Sequence, residues 1–371
     1  MNKSFFKRLV KTSFLVLGIL LTLTLFAVNL IPYLSIRLWL LSVTALFFPW
    51  IFIFTMLFGI GLILVKSRLS ILVILVLISS WKSVSVTWAM NGSGEGNSIT
   101  RPKLKVLSFN VMRWAEMARK TAKEETNRNR MIAEVLAQDA DIMCFQEFFE
   151  PAGYGLTIFE SNIQELKAKG YTYYSFFPTS VIHTGTKYFG MAIFSRYPIS
   201  DSANFKFEYS LHSEGLMYVD INVEGKMVRV FNTHLESYKV GNTGNTNSAR
   251  KNIFSALKNS ASSVRNAYFN RVEQSLFVQK KIAESPYPSI LSGNLGDVPV
   301  SDVYRQTKAE MTDVFLEKGG GFGRTFRHSL PNLRLDYMFI DKSLETERFE
   351  LIDIEPSDHY ALLAGIVLKE L

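Results

Sequence analysis

Acidic residues are missing from the first 90 positions of this 371-residue chain. The same stretch holds Lys3, Lys7, Arg8, Lys11, Arg37, Lys66, Arg68 and Lys82, so 33 of the 41 basic residues remain to face 33 Asp and Glu in the rest. The formal charge of +8 therefore belongs wholly to the N-terminal segment, and the remainder is formally neutral. Gripping duplex nucleic acid requires clustered Lys and Arg to neutralise phosphates, so the charge distribution argues against a duplex partner. Cysteine is nearly absent too. A single residue, Cys144, excludes an intramolecular disulfide, and its apolar setting (Ile142-Met143-Cys144-Phe145) predicts a buried structural thiol.

Charge of either sign is lacking from residues 12–36 and 38–65, which are dominated by Leu, Ile, Phe and Val. Each run exceeds the roughly 20 residues needed to cross a hydrocarbon core. The first is too long for the apolar region of a signal peptide, and no small-residue cleavage site follows it. A third run, 69–88, is interrupted by Lys82 near its exit end, where the amine can snorkel beside Trp81 and Trp88 as interfacial residues. The expectation is a membrane region over 1–90 with three transmembrane helices at about 12–34, 40–64 and 69–88. Four basic residues precede the first run, Arg37 alone separates it from the second, and Lys66 and Arg68 separate the second from the third. With three crossings, the positive-inside bias puts the N-terminus in the cytoplasm and the C-terminal domain outside it. If the third run lies flat on the surface, the domain is cytoplasmic.

A polar linker over 91–102, beginning Asn91-Gly-Ser-Gly-Glu-Gly-Asn97, leads into the domain at 103–371. Strand-like segments are read at Leu104–Asn110 and Asp141–Gln146, then near 171–177, 189–195, 216–223 and 227–233, and again at 288–293, 336–340, 349–354 and 360–368. Helical patterns fall at about 125–138 and 249–284, the latter after a polar stretch at 241–248. Many strands with interspersed helices over this length fit one α/β domain.

Five apolar strands end abruptly in polar or acidic residues: Ser108-Phe109-Asn110, Gln146-Glu147, Asn232-Thr233-His234-Leu235-Glu236, Ser292-Gly293-Asn294-Leu295-Gly296-Asp297 and Ser357-Asp358-His359. Strand ends are where a rigid sheet can aim side chains at one point. On these stretches, written LKVLSFNV, DADIMCFQE, GMAIFSRYPI, VFNTHLES, LRLDYMF and PSDHYAL, the chain from about 103 to 370 resembles the endonuclease/exonuclease/phosphatase superfamily. More narrowly, it resembles the membrane-anchored bacterial members, which implies a bacterial inner membrane as its expected location. The resemblance implies a four-layer α/β sandwich of two mixed sheets, preceded by transmembrane helices.

It also implies roles. Asn110 and Glu147 would hold one divalent cation, with Asp358 supplying a further carboxylate, and such oxygen ligands suit Mg²⁺ or Mn²⁺. His359 would contact the scissile phosphate, oriented by Asp336. His234 would donate to a non-bridging oxygen, and Asn110 would also touch substrate. One motif departs from the family. Where the family reads Gly-Asp-Phe-Asn-Asp-x-Pro-x-Ser, this chain reads Gly293-Asn294-Leu295-Gly296-Asp297-Val298-Pro299-Val300-Ser301. Asn294 replaces the Asp that activates the attacking water, and Gly296 replaces an Asn that contacts phosphate. Asn cannot act as a general base, and losing positioned acid–base catalysis costs on the order of 10²–10⁴ in rate. Read as an extended strand, the segment would turn Asp297 away from the face carrying 294 and 296.

Two expectations follow. One is a membrane-tethered, metal-dependent phosphoesterase with impaired hydrolysis. The other is a non-catalytic member binding a phosphorylated ligand or a partner protein in the same cleft. The helix at 249–284 carries Arg250, Lys251, Lys258, Arg265, Arg271, Lys280 and Lys281 against only Glu273 and Glu284, and reads as a solvated face. Its alternative is contact with the anionic headgroups of the lipid bilayer or with a phosphorylated ligand.

Overall fold

The computed structural model describes residues 3–33, 38–91, 103–118, 127–152, 159–182, 185–207, 214–237, 253–327 and 333–368. The linker beyond Asn91, the polar stretch at 241–248 and the start of the helix read from 249 lie outside them.

Five helices come first: α1 (Lys3–Asn29), α2 (Trp39–Ala45), α3 (Phe48–Leu64), α4 (Leu69–Ser79) and α5 (Trp81–Thr87). Among the described residues one helix, Phe5–Tyr33 with its last turn, is long and apolar enough to cross a membrane. The second and third apolar runs are each broken: α2 and α3 meet at 73°, and α4 and α5 at 46°, giving up to three crossings if each bent pair counts as one. The first break sits before Pro49, which has no amide to continue the helical ladder. At the second, the Ser80 hydroxyl bonds back to the Val76 carbonyl at 3.0 Å and accepts from Asn29 of α1 at 2.7 Å. Inserted hydroxyls of this kind bend helices.

The domain is built on strands β1 (Ala89–Met90), β2 (Lys103–Asn110), β3 (Ile142–Pro151), β4 (Tyr173–Ile182), β5 (Lys187–Ser195), β6 (Ile199–Lys206), β7 (Gly215–Val223), β8 (Lys226–His234), β9 (Ser289–Asn294), β10 (Thr312–Asp313), β11 (Gly320–Gly321), β12 (Asp336–Ile340), β13 (Leu344–Ile352) and β14 (Ala361–Leu368). Helices α6 (Asn127–Ala137), α7 (Asn162–Ala168), α8 (Ile253–Ala283), α9 (Asp302–Lys308) and α10 (Val314–Lys318) join them. Two six-stranded sheets result, ordered β13-β14-β2-β3-β5-β4 and β10-β12-β9-β8-β7-β6. Each contains one parallel pair, β2 with β3 and β8 with β9; the other pairings are antiparallel. Parallel neighbours need a crossover, and α6 and α8 supply the two.

Alternation along the strands explains the layering. Val106, Cys144, Ile193, Val230, Ile290 and Ala364 point between the sheets into one core. Their neighbours Leu107, Met143 and Phe194 point outward beneath α6 and α7, and Phe231, Leu291 and Phe339 point outward beneath α8 and α9. The architecture is the four-layer α/β sandwich expected. Cys144 is buried as expected, and burial pushes its thiol up to about 12.

The N-terminal helices are seated on the domain. Leu25, Val28, Ala45 and Phe48 form one apolar cluster with Val298 and Val300, against which Leu333 and Leu335 also pack. Arg334 donates to the Val86 carbonyl at 2.7 Å, and β1 pairs with β11.

Candidate phosphoester site

Topology concentrates the polar strand ends at one rim. Asn110 closes β2 beside Gln146 of its parallel neighbour, and His234 closes β8 beside Asn294, which closes β9. Asp336 opens the antiparallel β12 directly opposite Asn294, so His234, Asn294 and Asp336 form one row across three strands. In-register neighbours project to the same face of a sheet, so the row presents three polar side chains together. His359 lies just before β14, the antiparallel neighbour of β2, and joins the rims by a 2.7 Å hydrogen bond from Nδ1 to Oδ2 of Asp336.

Glu147 reaches the cleft through a β-bulge. Phe145 and Phe148 of β3 pair with Ala192 and Gly190 of β5, leaving two residues opposite one, and Glu147 takes a left-handed φ of 49°. Its carboxylate lies 3.5 Å from the Asn110 amide nitrogen. The Asn110 side-chain oxygen Oδ1 accepts from the Met112 backbone amide at 3.0 Å, which fixes the side chain. After Asn110 the chain makes a left-handed turn, with φ of 44°, 58°, 57° and 55° at Met112, Arg113, Trp114 and Ala115. Such backbone costs roughly 1–2 kcal/mol per residue. It is held by Trp114, which is fully buried edge-on against Phe145 and Phe148. The turn delivers Arg113, which the sequence reading missed, with Nε 3.5 Å from the Glu147 carboxylate and the guanidinium over Phe189.

The His359 ring is buried, which alone would lower its pKa. The Asp336 charge and hydrogen bond, with Asp358 and Glu147 nearby, overcome this and raise it to about 9. The ring is therefore an imidazolium at neutral pH. Its loop is pinned from both sides. The Ser357 hydroxyl donates to the Asn110 carbonyl and accepts from the His359 amide, while Arg327 donates to the Ser357 and Asp358 carbonyls. Asp358 stands 3.9 Å from Nε2 of His359 and is a third exposed.

The fourth motif is folded as a turn. β9 ends at Asn294, whose amide oxygen accepts from the Gly296 N–H at 2.8 Å, and Gly296 has φ +63°. The extended conformation read from the sequence is therefore corrected, yet Asp297 still does not reach the row. It is fully buried, pairs with Arg271 of α8 at 3.4 Å and caps the Val298 amide. Burial raises its carboxyl and the Arg271 charge opposes this. Arg271 itself corrects the reading of α8 as a solvated basic face. It is 0% exposed and also donates to the Glu236 carbonyl at 3.0 Å, tying the His234 and Asn294 segments together from behind. Glu236 is likewise structural, accepting from Asn270. Gln146 and Asn232 form a buried bridge between the sheets, with the Gln146 amide donating to Asn232 and the Asn232 amide to the Phe145 and Ala192 carbonyls.

The sequence profile of the Endonuclease/Exonuclease/phosphatase family matches residues 106–359, which spans all these strand ends. The chain belongs to the endonuclease/exonuclease/phosphatase family. Two solved structures share the fold of this family member. An endonuclease/exonuclease/phosphatase from Beutenbergia cavernae DSM 12333 aligns with a TM-score of 0.51 at 18% identity, over 72% of this chain and 72% of that one. The catalytic domain of human Nocturnin with a bound sulfate anion aligns with a TM-score of 0.51 at 19% identity, over 73% and 97%. At these identities the likeness is one of fold. Comparison with curated proteins gives no match.

Members of this family imply a divalent cation, and the donor set here fits one. Glu147 offers a carboxylate and Asn110 a side-chain amide, whose nitrogen lies toward that carboxylate and whose oxygen accepts from Met112, and with neither thiolate nor imidazole between them the pair suits a hard ion. Among the described residues no group of three or more His, Cys, Asp and Glu side chains is gathered to hold a metal. Mg²⁺ does not require one, since it keeps several waters and takes one or two carboxylates plus phosphate oxygens.

Proposed function

We propose that this cleft binds a phosphate ester beside one Mg²⁺ or Mn²⁺, in a membrane-tethered phosphoesterase-type protein whose hydrolytic step is impaired at Asn294. Asn110 and Glu147 would hold the ion, with Asp358 at its flank; when bound, it neutralises phosphate charge. His359, cationic at neutral pH, donates to a phosphate oxygen and is kept in place by Asp336. His234 donates from the opposite end of the row. The Asn294 amide oxygen is already engaged by Gly296 and carries no titratable proton, so nothing at that position removes a proton from water. The single observation that carries this reading is the His359–Asp336 pair meeting the Asn110–Glu147 corner at one rim.

The same Asn294 contact favours a second reading, a cleft that binds a phosphorylated ligand without turnover. The substrate class on either reading is a phosphomonoester or phosphodiester, and a lipid headgroup is within reach of a tethered cleft. The tether is supported by the apolar α1 and by Lys7, Arg8, Lys11, Lys66 and Arg68 at the end of the helical bundle distant from the domain, against Lys82 at the near end. That asymmetry supports a cytoplasmic N-terminus and an extracytoplasmic domain in a bacterial inner membrane.

The test is binding of Mn²⁺, followed by its electron paramagnetic resonance, to the detergent-solubilised full chain with and without inorganic phosphate. One bound ion whose affinity rises with phosphate and disappears in Glu147→Gln is expected. Binding unaffected by that substitution contradicts the site.

A further inference from the structure

A second cavity, of about 390 Å³, lies at the junction of the helical segment and the domain, apart from the cleft. One wall comes from the exit ends of the apolar helices, including Tyr33, Lys82 and Ser85; the other comes from α9, including Arg305 and Lys308. Three cations thus line one space, and among the described residues no Asp or Glu lines it. Arg305 is partnered by Asp302 at 2.9 Å, Lys82 rests over the Tyr33 ring at 5.0 Å, and Lys308 donates to the Ala309 carbonyl at 3.5 Å, with Glu310, itself paired with Lys342 at 2.7 Å, near enough to feel its charge. The cavity is amphipathic, because Val86 and Val300 complete it with apolar surface.

Its position identifies the occupant. Tyr33, Trp81 and Trp88 are all well exposed at this end of the bundle. Aromatic side chains of this kind sit at the headgroup level of a bilayer. A basic pocket beside helix ends at that level is suited to an anionic headgroup, with the acyl chains continuing along the helices. We propose that this cavity is a binding site for an anionic phospholipid, with Lys82 and Lys308 contacting the headgroup phosphate. The inference rests on the membrane reading above and is independent of the reading of the cleft. It also places lipid against Pro299 and Val300, a few residues after the Asn294 turn.

The experiment is native mass spectrometry of the detergent-solubilised full chain, titrated with phosphatidylglycerol or phosphatidylcholine. One preferred phosphatidylglycerol is expected, weakened roughly 30-fold in Lys82→Gln/Lys308→Gln, at about the worth of two near-surface cations. Lys308→Gln alone guards against misfolding of the double variant and should weaken it roughly 5-fold. Lys82→Arg/Lys308→Arg should retain binding, and Lys66→Gln/Arg68→Gln, at the far end of the bundle, should not alter it. Equal retention of both lipids, or wild-type binding by the Lys→Gln variants, overturns the proposal. Displacement of phosphatidylglycerol by millimolar inorganic phosphate also overturns it, assigning the site to a free anion. Alkaline carbonate extraction separates the two failures. A chain that washes off membranes defeats the membrane reading, whereas one that stays and shows no lipid preference defeats only this inference.

Discussion

Replacing Asp336 by Asn isolates the charge that governs His359. The amide is nearly isosteric and keeps a hydrogen-bonding atom near Nδ1, now 2.7 Å from the carboxylate, but it removes the negative charge. His359 is raised from 6.5 to about 9 against a burial effect of opposite sign. That gap corresponds to roughly 3 kcal/mol in favour of the imidazolium. With Asp336 neutral, burial dominates and the ring should titrate below its ordinary value. The assay is NMR of histidine labelled at carbon ε1 in the solubilised full chain, with the His359 signal assigned by its loss in His359→Gln. The midpoint should fall from about 9 in the wild type to below 6.5 in Asp336→Asn. Stability follows the same charge. Because the folded pKa lies above the unfolded one, the contribution is complete below 6.5 and is lost as pH rises through about 9. The wild type should thus lose thermal stability across that window, and Asp336→Asn should not. A midpoint near 9 in the variant refutes the reasoning.

Two further substitutions test the frame behind the site. Arg271→Met strands the buried Asp297 carboxylate and should destabilise the domain by about 3–5 kcal/mol in chemical unfolding; a loss under about 1 kcal/mol contradicts the buried pair. Gly293→Ala places a Cβ 1.9 Å from the Thr233 carbonyl oxygen at φ +149°, so β8 and β9 cannot keep their register. A cost of about 3 kcal/mol or more is expected, lowering the unfolding temperature by roughly 6–12 °C.

Much of the site was legible because a strand end is both a sequence signal and a spatial address. Asn110, His234 and Asn294 each close an apolar strand, and two parallel crossovers carry those ends to one rim, whereas Asp336 opens β12 and Glu147 sits in a bulge inside β3, which runs on to Pro151 past the end read from the sequence. What was not legible depends on long-range packing. Arg113 arrives through a left-handed turn over Met-Arg-Trp-Ala, which has no Gly or Asn to announce it and exists because Trp114 is buried. Arg271 looked like one more cation on a polar helix, and its partner Asp297 is brought to it only by the fold. Strand β6 was missed because Ile199–Lys206 is a polar edge strand with little apolar alternation. The break in the second apolar run had a signal in Pro49, outweighed by the length of the run.

Reversion of Asn294 tests most directly whether that residue limits hydrolysis. Gly296 occupies left-handed backbone that Asn tolerates, and a Cβ there meets the Glu236 carbonyl oxygen at 3.1 Å, a contact relieved by a few tenths of an ångström. Asn294→Asp/Gly296→Asn is therefore compatible with the fold. The measurement is the rate of Mg²⁺- or Mn²⁺-dependent hydrolysis of a generic phosphodiester and a generic phosphomonoester by the full chain. The account predicts that the double variant exceeds the wild type by about 100-fold or more, with the gain abolished by His359→Ala. Wild-type turnover already equal to that of the double variant would contradict it.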